Sequence, residues 1–269
     1  MTAGLPYRLI ATDLDGTLLT PAETVSDRTR AALAAATAAG AVHIVVTGRA
    51  AGWARPVLDE IGYTGIAVCG QGAQVYDAGA HKLLTSMTLD RRVGRLALDK
   101  LEAELGPLAV AAVQDGLASA GLAFGPYRLE TASDFSLRQV LGRDELFAEP
   151  ISKLFLQHPE LTDDQLTAAA RRIVGDLVGV TLAGPGIIEL LPLGLSKATG
   201  LAVAARRLGL RAADTIAFGD MPNDLPMFQW AAHGVAMANA HQELLAVADE
   251  VTASNAEDGV AAVLERLYG

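Results

Sequence analysis

A short apolar run, Tyr7 to Thr12, stops at an acidic turn, Asp13 to Thr17. An unbroken apolar stretch of this length, closed by turn residues, reads as a buried strand. Ser26 is a suitable N-cap for a helix through Ala39, and Gly40 a suitable stop. Ala41 to Val46 follows as a second strand, a helix is predicted near Arg55 to Ile61, and Ile66 to Cys69 is a third strand. The last part of the chain keeps the rhythm. Helices are predicted over Ser196 to Leu208, Asp224 to Ala231, His241 to Ala248 and Gly259 to Leu267. Strands are predicted over Thr215 to Phe218, Gly234 to Met237 and Glu250 to Ala253. Alternating strands and helices predict an α/β fold, with a Rossmann-like parallel sheet covered on both faces.

The middle has a different pattern. Strand-like runs are Leu108 to Val113, Ser152 to Leu156, Val180 to Leu182 and Ile187 to Leu191, and helix-like runs are Asp90 to Leu105, Asp134 to Leu141 and Thr162 to Leu177. Gly and Pro punctuate this stretch at 106–107, 125–126 and 184–186. The expected organisation is a core formed by residues 1–82 and 192–269, interrupted by an inserted α+β unit at 83–191.

With 269 residues and 51% hydrophobic content, the chain can bury a sizeable core. Its net charge of -10 argues against nucleic acid and anionic membranes as partners. An anionic substrate would need local positive charge, from a metal or a focused Lys or Arg. The single cysteine, Cys69, excludes an intrachain disulfide and fits a reducing compartment. Asp13 and Asp15 precede any apolar run of signal-peptide length, so a cytoplasmic protein is expected. The apolar run Ala31 to Val46 is mostly alanine, broken by Gly40 and His43, and reads as helix end, turn and strand.

Chemistry concentrates in two turns. Asp13-Leu14-Asp15-Gly16-Thr17 follows the first strand, and Gly219-Asp220-Met221-Pro222-Asn223-Asp224 follows a later one. Ligand sites in open parallel sheets lie beyond the carboxyl ends of strands. Two carboxylates two residues apart can divide the work of nucleophile and general acid–base. Either turn alone could be an ordinary strand end or helix cap. Together they form a set of hard oxygen ligands suited to Mg²⁺. Thr47-Gly48-Arg49 ends the second strand and offers a hydroxyl and backbone N–H groups to phosphate oxygens. Lys197 opens a helix, where its charge opposes the helix dipole. Position 75, six residues after Cys69, holds Val, so the cysteine-phosphatase loop is absent. Gly70-Gln71-Gly72 lacks the third glycine of a dinucleotide loop, and the five histidines show no zinc spacing.

These residues resemble the haloacid dehalogenase superfamily, specifically its Cof-type phosphatases with a C2-type cap. Asp13-Leu14-Asp15-Gly16-Thr17 matches motif I, Thr47 motif II, Lys197 motif III, and Gly219-Asp220 with Asn223-Asp224 motif IV. Gly72-Ala73, Val235-Ala236-Met237 and Asn255 to Val260 are further family-like stretches. Three positions depart from the pattern: Gln71 stands where Asn is usual, and Ala198 and Ala238 where Gly is common. The resemblance implies a Mg²⁺-dependent phosphomonoester hydrolase for small phosphorylated metabolites such as sugar phosphates. Asp13 would be the nucleophile, forming an aspartyl phosphate, and Asp15 the acid and base. The metal would be held by Asp13, the Asp15 carbonyl and Asp220, with Asp224 and Asn223 ordering its surroundings. Thr47, Gly48, Lys197 and Asn223 would bind the phosphate. The inserted unit would be the cap that recognises the leaving group. Tyr127, Arg128 and Glu189 are its candidate contacts, although each reads more readily as a surface or core residue. A phosphotransferase or mutase using the same intermediate, and a non-catalytic phosphometabolite-binding protein, are the alternatives. The oligomeric state is not legible.

Overall fold

A computed structural model describes residues 5–118, 121–126 and 137–269. The first sheet has eight strands: β1 (Leu9–Thr12), β2 (Val42–Val46), β3 (Ile66–Cys69), β4 (Gln74–Asp77), β5 (Lys82–Ser86), β12 (Thr215–Gly219), β13 (His233–Ala236) and β14 (Glu250–Val251). Their order is β14-β13-β12-β1-β2-β3-β4-β5. The six strands from β14 to β3 run parallel, and β4 and β5 add an antiparallel hairpin at one edge.

Helices cover both faces of this sheet. On one, α5 (Lys197–Arg207), α6 (Leu225–Trp230) and α7 (Gln242–Leu245) place Leu201, Ala204, Met227, Phe228 and Leu244 against Leu9, Ala11, Ile44, Val46 and Val68. On the other, α1 (Asp27–Ala38) and α8 (Gly259–Tyr268) pack against Ile10, Ile216, Phe218 and Val235. There α2 (Ala51–Glu60) covers Val45 and Ala67 with Ala54 and Leu58. Strands buried on both faces are near-continuously apolar, which is why Leu-Ile-Ala-Thr and Thr-Ile-Ala-Phe-Gly read as they do. Ser26 caps α1, its hydroxyl accepting the Thr29 N–H at 3.0 Å. Helix α2 starts at Ala51, four residues ahead of the expected Arg55. Its first turn has no side-chain cap at Ala50; instead the Ala51 N–H donates to Gln74 Oε1 at 2.8 Å. That partner lies on another strand and leaves no local signal.

The second sheet comprises β6 (Ala109–Gln114), β7 (Gly121–Phe124), β8 (Leu137–Gln139), β9 (Ile151–Gln157), β10 (Val178–Leu182) and β11 (Ile188–Pro192), in the order β10-β11-β9-β6-β7-β8. Helices α3 (Arg91–Leu105) and α4 (Asp163–Val174) bury Leu98, Leu101, Leu166 and Val174 against Val110, Leu154, Leu156, Ile188 and Leu190. This is the α+β cap. The helix expected over Asp134 to Leu141 is not observed where it can be compared. Leu137–Gln139 is a strand pairing parallel with β7, and residues 134–136 lie outside the described residues. Pairing at a sheet edge overrides the helix propensity of so short a segment. Among the described residues no helix is long and apolar enough to cross a membrane.

Candidate active site

Neighbouring parallel strands bring their carboxyl ends together. β12, β1, β2 and β3 are adjacent, so the turns that follow them meet at one edge. Asp13 follows β1, Thr47 follows β2, Gly70–Gly72 follows β3 and Asp220 follows β12. Lys197 reaches the same edge from the first turn of α5. Ser196 caps that turn through its hydroxyl and the Thr199 N–H, 3.4 Å apart.

The acidic turns touch. Carboxylate oxygens of Asp13, Asp220 and Asp224 all lie within 4.8 Å of one another, and all three residues are buried. Lys197, 1% exposed, donates to Asp13 Oδ1 at 2.5 Å and to Asp224 Oδ1 at 2.7 Å. Asp224 Oδ2 accepts the backbone N–H groups of Asp220 and Met221 at 3.0 and 3.1 Å. Both Asp224 oxygens are thereby engaged, so this residue braces Lys197 and the 220 turn. The Thr17 hydroxyl donates to Asp220 Oδ1 at 3.3 Å, and Asn239 Nδ2 donates to the Gly16 carbonyl at 2.9 Å. Gly16, at φ +74°, is required twice over. A Cβ there would stand 2.2 Å from Asp220 Oδ2, and the left-handed backbone disfavours any side chain.

Burial dominates the electrostatics. It pushes Asp13 up to about 7; Lys197 opposes the shift, and the charges of Asp224 and Asp15 add to it. Burial, then the charges of Asp13 and Asp224, drives Asp220 well above the ordinary carboxylate range. For Lys197, burial alone would lower the pKa, but Asp13 and Asp224 together outweigh it and hold the ammonium protonated. One cation among three buried carboxylates leaves a net negative cluster of hard oxygens. Such a donor set fits a divalent cation like Mg²⁺.

Asp15 stands apart from this cluster. Its half-exposed carboxylate is gripped by both arms of the buried Arg49 guanidinium. The Thr47 hydroxyl oxygen accepts the Arg49 N–H at 3.1 Å, which leaves its own hydrogen to donate elsewhere. Asn223 Nδ2 donates to Gln71 Oε1 at 3.2 Å, and Gln71 lies against Gly48. Thus Asp13, Lys197, Asp220 and Asp224 form one cluster, with Thr47, Gly48 and Asn223 at the same sheet edge. Glu189 is buried in the cap, and Tyr127 and Arg128 lie outside the described residues. Sequence reasoning missed Arg49, Gln71 and Lys153. Arg49 stood inside a motif already singled out. Lys153 donates across to the Gly48 carbonyl at 2.6 Å, with no sequence signal beyond a lone Lys in an apolar strand.

Residues 10–264 match the haloacid dehalogenase-like hydrolase family model. The 5-amino-6-(5-phospho-D-ribitylamino)uracil phosphatase of Bacillus subtilis is 30% identical, over 97% of this chain and 98% of that protein. The HMP-PP phosphatase of Serratia proteamaculans is 31% identical, over 88% of this chain and 86% of its own. A haloacid dehalogenase-like hydrolase structure from B. subtilis superposes with a TM-score of 0.80 at 24% identity, covering 97% of this chain and 99% of that one. Matched along nearly its whole length by the family model and by these phosphatases, the chain belongs to the haloacid dehalogenase-like hydrolases and is a phosphatase of that family.

Proposed function

We propose that the protein hydrolyses phosphate monoesters of small metabolites through a phosphorylated Asp13, with Mg²⁺ as its cofactor. The observation that carries this reading is Lys197 bridging Asp13 and Asp224 beside Asp220 in one buried cluster. Asp13 and Asp220, with the Asp15 backbone carbonyl, would hold the ion. When bound, the ion supplies positive charge that favours the anionic carboxylates and offsets their repulsion toward a phosphate dianion. Two unit charges about 4 Å apart repel by about 4 kcal/mol at an effective dielectric near 20.

The protein's own groups perform the steps. Lys197 and the free Thr47 hydroxyl hydrogen, with the Gly48 N–H, orient and neutralise the phosphate oxygens. An Asp13 oxygen forms a bond to phosphorus as the bond to the leaving oxygen breaks. Asp15 gives its proton to that oxygen. It then removes a proton from the water that attacks phosphorus, releasing orthophosphate and restoring Asp13. Arg49 keeps the Asp15 carboxylate oriented between these duties. The related B. subtilis phosphatase is named for a substrate with a phosphorylated ribityl chain, and the Serratia relative for HMP-PP. Both support a small phosphorylated metabolite here. The single buried Cys69 supports a cytoplasmic setting.

The test is turnover of para-nitrophenyl phosphate, with orthophosphate measured in water. Asp13→Asn is expected to remove activity, and excess chelator to stop it until Mg²⁺ is restored. Full turnover by Asp13→Asn, or full turnover in excess chelator, would refute the nucleophile or the metal respectively. Orthophosphate release without an activating bisphosphate separates a hydrolase from a mutase.

A further inference from the structure

The loop after β3 joins three of the turns that build the site. The Gly70 N–H donates to the Arg49 carbonyl at 2.8 Å, and the Gln71 N–H to the Thr47 carbonyl at 3.2 Å. Gly72, at φ +101°, lies so close to the first turn of α5 that a Cβ there would stand 2.0 Å from the Ser196 carbonyl oxygen. The Gln71 side chain reaches the turn after β12, where its Oε1 accepts from Asn223 Nδ2 at 3.2 Å. Gln71 is 1% exposed and takes φ +61°, a left-handed backbone uncommon for residues other than glycine. It also dictates its neighbour. Gly48 is outside the left-handed region, so its backbone does not call for glycine. A Cβ there would stand 2.6 Å from Gln71 Nε2, so glycine is needed because the Gln71 amide fills that place.

Two atoms of the Gln71–Asn223 contact, Gln71 Nε2 and Asn223 Oδ1, are buried and have no partner among the described residues. Buried polar atoms in that condition are costly and call for a reason. Turning both amides over exchanges N and O and keeps one bond between the side chains. It changes what lies beside Gly48: an N–H donor in the arrangement described, a carbonyl acceptor in the other. Toward a phosphate these are not equal. The Thr47 hydroxyl and the Gly48 N–H are the neutral donors assigned above to its oxygens. An acceptor beside them would repel those oxygens, and a further donor would add a charge-assisted hydrogen bond. Phosphate at Gly48 therefore selects the arrangement in which Asn223 Nδ2 donates to Gln71 Oε1.

We propose that Gln71 Nε2 donates to an oxygen of the bound phosphate, and that Asn223 is a positioning residue that keeps the Gln71 amide this way round. This rests on the phosphatase reading of the Asp13 site. It departs from what the family resemblance implies, in which Asn223 binds the phosphate itself. Here the Asn223 amide is already spent on Gln71, and the spare donor lies on Gln71, beside Gly48. The contact is to the group being transferred, so it serves every ester alike.

The experiment compares Gln71→Met, Asn223→Ala, their double variant and Gln71→Glu with wild type in excess Mg²⁺. It reads KM for para-nitrophenyl phosphate and for glycerol 2-phosphate, and the inhibition constant of orthophosphate. Titration calorimetry with orthophosphate gives the same comparison for a variant with little turnover. Gln71→Met is expected to raise all three constants about tenfold, by the same factor for both esters. Asn223→Ala should raise them about threefold in wild type and less than about twofold in the Gln71→Met background, where there is no amide left to hold. Gln71→Glu keeps an oxygen for Asn223 and replaces the donor by an acceptor, so it should bind orthophosphate more weakly than Gln71→Met. Orthophosphate binding within twofold of wild type in Gln71→Met overturns the proposal. So does an equal effect of Asn223→Ala in both backgrounds, which makes Asn223 the direct donor. A role confined to packing gives the opposite order, with Gln71→Glu nearer to wild type than Gln71→Met, and overturns it too. An effect on one ester alone overturns the assignment to the phosphate. Wild type that neither binds orthophosphate nor turns over any ester refutes the phosphatase reading and this proposal with it, whereas failure of the proposal alone leaves wild-type turnover intact.

Discussion

Asp220→Asn should make the metal-free protein more stable while removing its response to Mg²⁺. Oxygens of Asp13 and Asp220 lie within 4.8 Å. At that separation and an effective dielectric near 20, two full charges repel by about 3.5 kcal/mol. The cluster avoids part of this, because burial pushes Asp13 up to about 7 and it is partly protonated at neutrality. Asn keeps the shape of the side chain and an oxygen for the Thr17 hydroxyl, so the net gain is about 1–3 kcal/mol. At roughly 2–4 °C per kcal/mol for a domain of this size, Tm rises by roughly 2–12 °C. The sign with pH follows from linkage. Asp220 has a folded pKa above its unfolded value, so the folded state retains a proton that the unfolded chain releases. Stability is therefore fully present below about pH 4 and drains away as pH rises through the folded value. The advantage of Asn should be absent near pH 4 and grow toward neutrality. Scanning calorimetry in chelator at several pH values reads this directly. With excess Mg²⁺ the order should reverse, because wild type gains binding free energy that the variant lacks. A variant that melts below wild type in chelator at pH 7.5, or an advantage independent of pH, would refute the account of the cluster.

Three further outcomes follow from single residues. Gly16→Ala should cost about 100-fold or more in kcat/KM, because its Cβ falls 2.2 Å from Asp220 Oδ2 and displaces a carboxylate by about an ångström; steady-state kinetics on para-nitrophenyl phosphate checks it. His43 accepts or donates a 2.8 Å bond with the Thr12 hydroxyl, and burial lowers its pKa to about 4. The unfolded state therefore binds the extra proton first, stability falls as pH drops from about 6.5 to 4, and His43→Gln should flatten that fall by about 1–3 kcal/mol in urea titrations. Cys69 is fully buried with its thiol pushed up to about 12 by that burial. Iodoacetamide should leave it unmodified in the native protein and label it after unfolding, as mass spectrometry would show.

The core was legible because its chemistry sits where the local pattern changes. An apolar run that ends in Asp13-Leu14-Asp15-Gly16 marks both a buried strand and the residues placed at its carboxyl end. The same holds for Thr215–Gly219 and Asp220. Ile66–Cys69 was read to the residue. The hairpin β4–β5 was not, since both strands alternate weakly: Gln74–Asp77 gains its burial from β3, and Lys82–Ser86 is a largely unburied edge strand paired only with β4. In the cap, β7 is the four-residue stretch Gly-Leu-Ala-Phe, too short and too small to show a period.

Partners that lie far apart in sequence left no trace in it. Gln71 occupies φ +61°, a left-handed position that Asn tolerates better than Gln. From the sequence this is only a departure from a family pattern. In the structure its amide oxygen accepts from Asn223, 152 residues away. Arg49 reaches back 34 residues to Asp15, and Lys153 reaches 105 residues to Gly48. Each of these contacts joins a residue of ordinary local character to a motif that was legible by itself. In the proposed mechanism the motif supplies the attack on phosphorus, which needs groups set by two short turns on adjacent strands. The long-range contacts instead tie that motif to its surroundings, and the Lys153 contact joins the cap sheet to the loop after β2. The contact between the two sheets is therefore invisible in local sequence pattern, which reports on each sheet separately.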